Sequence, residues 1–528
     1  MEEHSAQKKL DVGSGNAYKL LSPTSPSPKV AYTQKEGEHV MLEQTSIEKF
    51  IGWLEHMEIE IGVQEMTRKN TLFSLFSGAG GLDLGFSSKF SAMFANDMSE
   101  PAAKTFSANF GAKLVEHDPS SPDLPAFFLG DVAELEMNGF KDFEADVLIG
   151  GPPCQDFSIV RGPEKERAGI SVSRGRLYSH FVRALAHLQP KVFVFENVPG
   201  LVSSNKGAAY STILEDFSKL NLRWNGIKKL VGNNLNVALQ GYEIVYRGLV
   251  NASKLGVPQT RKRLIVIGLR KDLSSRARKP AESRQKVADI LSGKNSLLSK
   301  YPLTSIEVFE GKALPDLAEK YAEVIEKYRG IAKEVGTPKA LKWEKNVWGK
   351  LSFGVVEDYL TFNRITPASM EEVNDAFAEH AKLLKELGYH GARVSDLRSP
   401  DGSNKIPNES EHVLERMEKI PPDENHEFIR GTRWGVEGRG MSLIYRRIHP
   451  LKPSYTVVAY GGGGTWGYHY ERHRSKLTNR ERARLQTFPD GFVFKGNSSQ
   501  VRAQIGEAVP PLLSKKIAEA VGIILRSF

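Results

Sequence analysis

From residue 71 the chain alternates short apolar runs with longer stretches of helical periodicity. The runs fall at 71–76, 92–95, 146–149, 192–195 and 264–268. Runs this short, spaced by helical stretches, predict strands joined by crossover helices and hence an open α/β sheet. Each of the first four runs gives way at once to glycines or polar residues: Ser77-Gly78-Ala79-Gly80-Gly81, Asn96-Asp97, Gly150-Gly151-Pro152-Pro153-Cys154 and Glu196-Asn197. Ligands of open sheets collect beyond the carboxyl ends of the strands, so these loops frame the candidate site.

Outside this alternation the pattern is different. The first forty or so residues have no periodic apolar positions and read as a flexible arm. A capping box at Thr45 and Glu48 then opens a short amphipathic helix with Ile47, Phe50, Ile51, Leu54 and Met57 on one face. After 268 one helix is expected with Leu317, Tyr321, Val324, Ile325, Tyr328 and Ile331 in its stripe, ending at Gly336. Another starts at a Ser369/Glu372 capping box, buries Met370, Val373, Phe377 and Leu384, and ends at Gly388. Residues 398–427 read as loop, 461–464 as a glycine turn, and 512–525 as a final helix. The expected organisation is an arm and helix at 1–70, an α/β domain at 71–270, a region without that alternation at 271–475, and a last segment at 476–528.

Composition narrows the function classes. No apolar run in the 528 residues approaches a membrane span, and a soluble, cytoplasmic protein with no membrane partner is expected. Cys154 is the only cysteine, which excludes internal disulfides and cysteine-cluster metal sites; no metal is expected. The net charge of +9 is uneven: 251–300 holds thirteen Lys/Arg against three Asp/Glu, and 430–484 twelve against three. Two basic stretches on an otherwise acidic chain point to a polyanion partner, most naturally nucleic acid.

The loops carry the chemistry. Glycines at 78, 80 and 81 let backbone amides approach a ligand at a helix start, although a structural tight turn would use them too. Asp97, seventeen residues after Gly80, is placed to accept hydrogen bonds from ribose hydroxyls, and Asp131 is a further polar group for an adenine edge. Either aspartate could instead cap a helix. Two prolines present Cys154 at a strand end, where a thiol acts as nucleophile rather than as core filler. Glu196 supplies a carboxyl at the same edge, and Gln259-Thr260-Arg261-Lys262-Arg263 brings two arginines onto one face.

Taken together, these segments resemble the C5-cytosine DNA methyltransferase family of restriction–modification systems. The matching blocks run in family order: 76–81, Asn96-Asp97, Gly130-Asp131-Val132, 151–158, 174–177, Glu196-Asn197-Val198, 259–263, 477–490 and 504–513. The resemblance implies a Rossmann-like, S-adenosylmethionine-dependent large domain facing a smaller target-recognition domain across a DNA cleft. It assigns Phe76, Gly78, Gly80, Asp97, Asp131, Val132, Pro153 and Leu177 to the cofactor and makes Cys154 the nucleophile. Glu196 becomes the partner of cytosine N3, and Asn197 braces the cysteine loop. Gln259, Arg261 and Arg263 hold that loop, the flipped nucleotide and its phosphate. Glu507 stands where the family usually has asparagine, which puts one cofactor contact in question.

The chemistry is coherent without the name. A thiolate adding to C6 turns cytosine into an enamine that takes a methyl group at C5, and a protonated Glu196 neutralises the ring. C6 is inaccessible within a duplex, so the base must flip out. Arg446, Arg447, Thr456, Thr465, Trp466 and His469, around the glycine run, are the candidates for reading base edges, with a purely structural hairpin as the alternative. The resemblance implies duplex DNA as substrate, a separately acting cognate restriction endonuclease, and a monomeric enzyme. A tRNA cytosine methyltransferase and a non-catalytic DNA-binding relative are the alternatives.

Overall fold

The structure is a computed structural model that describes residues 69–116, 124–140, 144–153, 176–231, 239–436, 442–461 and 464–528. The helix expected near 47–57, and Cys154 itself, lie outside the described residues.

Eight strands form one sheet: β1 (Asn70–Leu75), β2 (Phe90–Asp97), β3 (Lys113–Val115), β4 (Ala126–Leu129), β5 (Val147–Gly150), β6 (Val192–Asn197), β7 (Tyr242–Asn251) and β9 (Lys262–Arg270). Their spatial order is β3-β4-β2-β1-β5-β6-β9-β7, while β8 (Gln259–Thr260) pairs separately with β10 (Ser454–Tyr455). All neighbours in the large sheet are parallel except β9, which runs antiparallel to β6 and to β7. This is the α/β sheet expected of a Rossmann-like methyltransferase. From β1 the chain passes to β2 on one side and later to β5 on the other. The crevice beyond the carboxyl ends of β1 and β5 is therefore the topological switch point.

The continuous apolar runs have a simple cause: the sheet is covered on both faces. Leu72, Val147, Ile149, Val192, Val194, Ile265 and Ile267 join one core, together with helices Gly81–Phe86, Pro280–Ser292 and Pro511–Leu525. The alternate residues Phe73, Leu75, Leu148, Phe193, Phe195, Leu264 and Val266 join another, with helices Arg176–Leu188, Ala208–Ser218 and Leu220–Leu230. Each fully buried side chain of this kind contributes roughly 1.5–3 kcal/mol. Helix Gly81–Phe86 lies so close to the last helix that a Cβ on Gly85 would collide with Ser514, whose hydroxyl donates to the Leu82 carbonyl.

Several local expectations change. The stripe from Leu317 to Ile331 is buried throughout, but the helix ends at Glu326 and a second one runs Ile331–Val335, with left-handed Gly330 between them. The two halves serve different cores: Leu317, Tyr321, Val324 and Ile325 pack with the sheet's core, whereas Tyr328 and Ile331 join Trp343, Met417, Phe428 and Tyr468 in a smaller one. Ser369 caps helix Met370–Glu386 as expected, but Met370 is exposed, because the first residue after the cap points off the packed face. Residues 398–427 are not all loop, since they contain helix Glu411–Glu418. The sheet's core also continues through Val287, Leu291, Tyr301, Ile306 and Tyr359, so residues beyond 270 pack directly into the core of the sheet. No helix among the described residues is long and apolar enough to cross a membrane.

Candidate active site

The turn after β1 is built for close backbone approach. Phe76, Gly78 and Gly80 all have left-handed φ, at 57°, 54° and 85°. Ser77 N–H donates to the Asn96 carbonyl at 3.0 Å, and Gly80 N–H to the Ser77 carbonyl at 2.9 Å. A Cβ on Gly80 would strike Phe110 and lie 2.9 Å from Phe106, whereas one on Gly78 would meet no described residue within 4 Å. Among the described residues the Gly78 side of the turn is thus open. Asp97, at the end of β2, accepts from Gly78 N–H and Ser99 N–H at 2.9 Å each, so both its oxygens are fixed while lone pairs remain free. Burial raises its pKa, opposed by those amides. A fixed carboxylate beside an open glycine fits the ribose of S-adenosylmethionine. Asp131 follows β4 and uses one oxygen to cap Ala133 at 2.9 Å; it is a helix cap as well as an exposed residue at this edge. Val132 is buried, with its carbonyl accepting from Arg183 at 2.5 Å, and Leu177 and Phe76 are partly exposed.

The second half of the edge comes from β5 and β6. Asn197 donates to the Pro152 carbonyl at 3.1 Å, and its side-chain oxygen accepts from Val198 N–H at 2.8 Å. This ties β6 to the diproline turn, whose second residue, Pro153, is exposed. Glu196 shares the sheet face of Val192 and Val194. Its backbone partner across the antiparallel ladder is Ile265, which puts Arg263 on the same face two residues away. The Arg263 guanidinium meets the Glu196 carboxylate at 2.9 Å. The other Glu196 oxygen lies where a Cβ on Gly151 would approach to 2.8 Å, so a side chain there would press on the carboxyl that Arg263 holds. Burial pushes Glu196 above the ordinary carboxyl range, and Arg263 and Arg261 pull the other way.

Gln259 and Arg261 are fully buried clamps. Gln259 donates to Gln486 at 2.8 Å and to the Leu485 carbonyl at 3.2 Å, and accepts from Val457 N–H at 2.9 Å. Arg261 donates to the carbonyls of Gly506 (2.9 Å), Ala508 (3.0 Å) and Val457 (3.2 Å). Of the three residues expected to touch the nucleotide or its loop, only Arg263 reaches the open edge at Glu196.

The model of the C-5 cytosine-specific DNA methylase family matches residues 70–522. The chain belongs to the C-5 cytosine-specific DNA methylase family. It is 58% identical over 467 residues to the DNA (cytosine-5-)-methyltransferase M.ApeKI of Aeropyrum pernix, covering 87% of this chain and 99% of that one. It is 32% identical to the type II methyltransferase M.BbvI of Brevibacillus brevis (85% and 89% covered) and 30% identical to M.NgoFVII of Neisseria gonorrhoeae (86% and 87% covered). The chain is accordingly a DNA cytosine-5 methyltransferase of the restriction–modification type, and the family implies use of S-adenosylmethionine. Among the described residues no group of His, Cys, Asp and Glu is arranged to hold a metal.

The enzyme's base-reading candidates divide sharply. Arg447 is fully buried, donating to carbonyls that include Ile420 at 2.7 Å and Glu471 at 2.6 Å, and His469 is buried against Phe309 and Tyr470. Neither is placed to reach a base edge: Arg447 is spent on the carbonyls of neighbouring segments, and His469 Nδ1 accepts from Glu471 N–H at 3.1 Å. Arg446 stacks on Tyr455 at 3.5 Å and pairs with Asp423 at 3.3 Å. Thr456 is exposed and donates to the Thr260 carbonyl at 2.9 Å; Thr465 and Trp466 are partly exposed and line a pocket with Arg446 and Thr456. The second basic stretch is also partly internal, since Arg447, Arg480, Arg482 and Arg484 are all buried.

Sequence reasoning passed over three residues of this region. Asp83 is completely buried behind the glycine turn, and neither of its oxygens makes a hydrogen bond of good geometry. An aspartate inside the apolar helix GLDLGF was the available signal. Gln486 donates to the Ala508 carbonyl at 3.1 Å, and Arg502 stacks on Trp466. Glu507, which the sequence did single out, lies at the exposed end of helix Ser498–Glu507. Partial desolvation of its carboxyl and the charge of Asp97 raise its pKa, while a hydrogen bond from Tyr460 lowers it.

Proposed function

We propose that the enzyme transfers a methyl group from S-adenosylmethionine to C5 of a cytosine flipped out of a specific short duplex sequence, through a covalent bond between Cys154 and C6. The observation that carries this reading is the convergence at one sheet edge of the fixed Asp97 carboxylate, the Glu196–Arg263 pair and the Asn197-braced turn that leads directly into Cys154. When bound, the cofactor supplies an electrophilic methyl on sulfonium sulfur. Asp97 would hold its ribose, and Phe76, Gly78, Gly80, Val132, Pro153, Leu177 and Glu507 would surround it.

In this reading the Cys154 thiolate forms a bond to C6, C5 takes the methyl, and loss of the C5 proton then expels the thiolate. Glu196 carries the proton that N3 needs as the ring accepts the sulfur. Its raised pKa favours that protonated state, and Arg263 fixes the carboxyl's direction. Arg446, Thr456, Thr465 and Trp466 are the remaining candidates for target reading, and the region contributing it would lie within 271–475. A cognate endonuclease acts separately, and this chain works as a monomer.

Bisulfite sequencing of a plasmid from cells expressing the chain tests the proposal. One protected cytosine within a single recurring motif is expected, and no protection at any motif would overturn it.

A further inference from the structure

The segment proposed to face DNA and the turn proposed to face the cofactor are fastened together at the level of the backbone. Gly506 packs flat against Val458 and Ala459, leaving no room for a Cβ. Arg261 spans the same junction, with the Val457 carbonyl at 3.2 Å on one side and the Gly506 and Ala508 carbonyls at 2.9 and 3.0 Å on the other. On its far side this turn reaches the cofactor loop: a Cβ on Gly81 would lie 2.5 Å from the Val509 carbonyl and 2.9 Å from Ala508 Cβ.

Arg502 adds a side chain that the clamp itself does not require. It sits one helical turn before Gly506, donates from Nε to the Ala459 carbonyl at 3.2 Å, and lays its guanidinium over Trp466 at 3.6 Å. No carboxylate among the described residues pairs with it, although it is only partly exposed. A planar cation held on an indole fixes the loop's direction as well as its distance.

We propose that Arg502 is a positioning residue that couples the two ligands, holding Ala459 and Trp466 to the helix that ends at Glu507 so that cofactor and DNA favour the same arrangement of the target loop. The inference rests on the cofactor and DNA reading above. A ligand that orders the 506–509 turn then leaves less of the loop to be ordered by the other ligand, and linkage makes the effect reciprocal.

The test is a binding cycle without turnover, using S-adenosylhomocysteine and the duplex motif mapped by bisulfite sequencing. In the wild type, S-adenosylhomocysteine should tighten DNA binding at least about fivefold, and DNA should tighten S-adenosylhomocysteine binding by the same factor. Arg502→Ala should bring that factor close to one while leaving S-adenosylhomocysteine affinity of the DNA-free enzyme within about twofold. The double variant Arg502→Ala/Trp466→Ala should lose no more of the coupling factor than Arg502→Ala alone. Four results would overturn the proposal: no coupling in the wild type; Arg502→Ala weakening DNA equally with and without S-adenosylhomocysteine, restored by Arg502→Lys, which marks a plain phosphate contact; full coupling retained in Arg502→Ala; or S-adenosylhomocysteine affinity falling together with the unfolding midpoint, which marks a structural role. A wild type that binds no S-adenosylhomocysteine at all would instead remove the cofactor reading, and this inference with it.

Discussion

Replacing Asp83 by asparagine should change how stability depends on pH, and the size of the change follows from burial. Asp83 is fully buried on the first turn of helix Gly81–Phe86, and neither carboxyl oxygen makes a hydrogen bond of good geometry. Desolvation pushes its pKa from the ordinary 3.8 up to about 7, with only the Ser74 hydroxyl and its own backbone amide pulling it down. No charged group among the described residues takes part. Because the folded state holds this proton more tightly than the unfolded one, stability falls as pH rises from about 4, and the loss levels off above about 7. A difference of 7 − 3.8, or about three units, corresponds to about 4 kcal/mol in total. Roughly 3 kcal/mol of it falls between pH 5 and pH 8. A carboxamide cannot ionise, so the advantage of Asp83→Asn over wild type should grow by about that amount between the two pH values. Urea unfolding of both proteins at pH 5 and pH 8 measures it, and the comparison cancels any pH-independent cost of the amide. Parallel curves for the two proteins would refute the reasoning.

Further outcomes are expected. Asp97→Ala should weaken S-adenosylmethionine binding in calorimetry by about 1.5–3 kcal/mol, the worth of a hydrogen bond to a charged group, while cofactor-free DNA binding persists. Arg261→Met strands the carbonyls of Val457, Gly506 and Ala508 in a buried site and should cost about 3 kcal/mol or more in unfolding experiments; an unchanged midpoint would contradict the clamp. Asn197→Ala removes the bond to Pro152 and should lower kcat with little change in the KM for S-adenosylmethionine. Because Glu196 is needed protonated and burial raises its pKa, kcat/KM should fall as pH rises through that raised value, and Glu196→Gln should be slower but lack this limb.

The sheet was legible because five of its strands pack into cores on both faces and so carry short, mostly apolar runs. Strand β7 was not, since it is an edge strand whose burial is intermediate along most of its length and whose sequence includes Glu243 and Arg247. The strand ends carried Asp97, Glu196 and Asn197 plainly, because the topology requires a ligand crevice there. Charge counting misled at Arg447 and Arg261. Lysine and arginine totals do not distinguish a guanidinium facing phosphate from one folded inward onto carbonyls, and that depends on contacts some 200 residues apart, as between Arg261 and Val457. The break at Gly330 was likewise invisible, since the apolar stripe runs on through it into a different core.

The central claim is that the one thiol of the chain, Cys154, forms a bond to the target cytosine. A duplex carrying 5-fluorocytosine at the mapped position tests it, because fluorine at C5 cannot leave as a proton and the elimination that frees the sulfur is blocked. Wild-type enzyme should give a denaturation-resistant protein–DNA adduct that depends on S-adenosylmethionine, and Cys154→Ser should give none while still binding DNA. With no second cysteine to substitute, an adduct formed by Cys154→Ser, or methylation by that variant at the wild-type rate, would contradict the account.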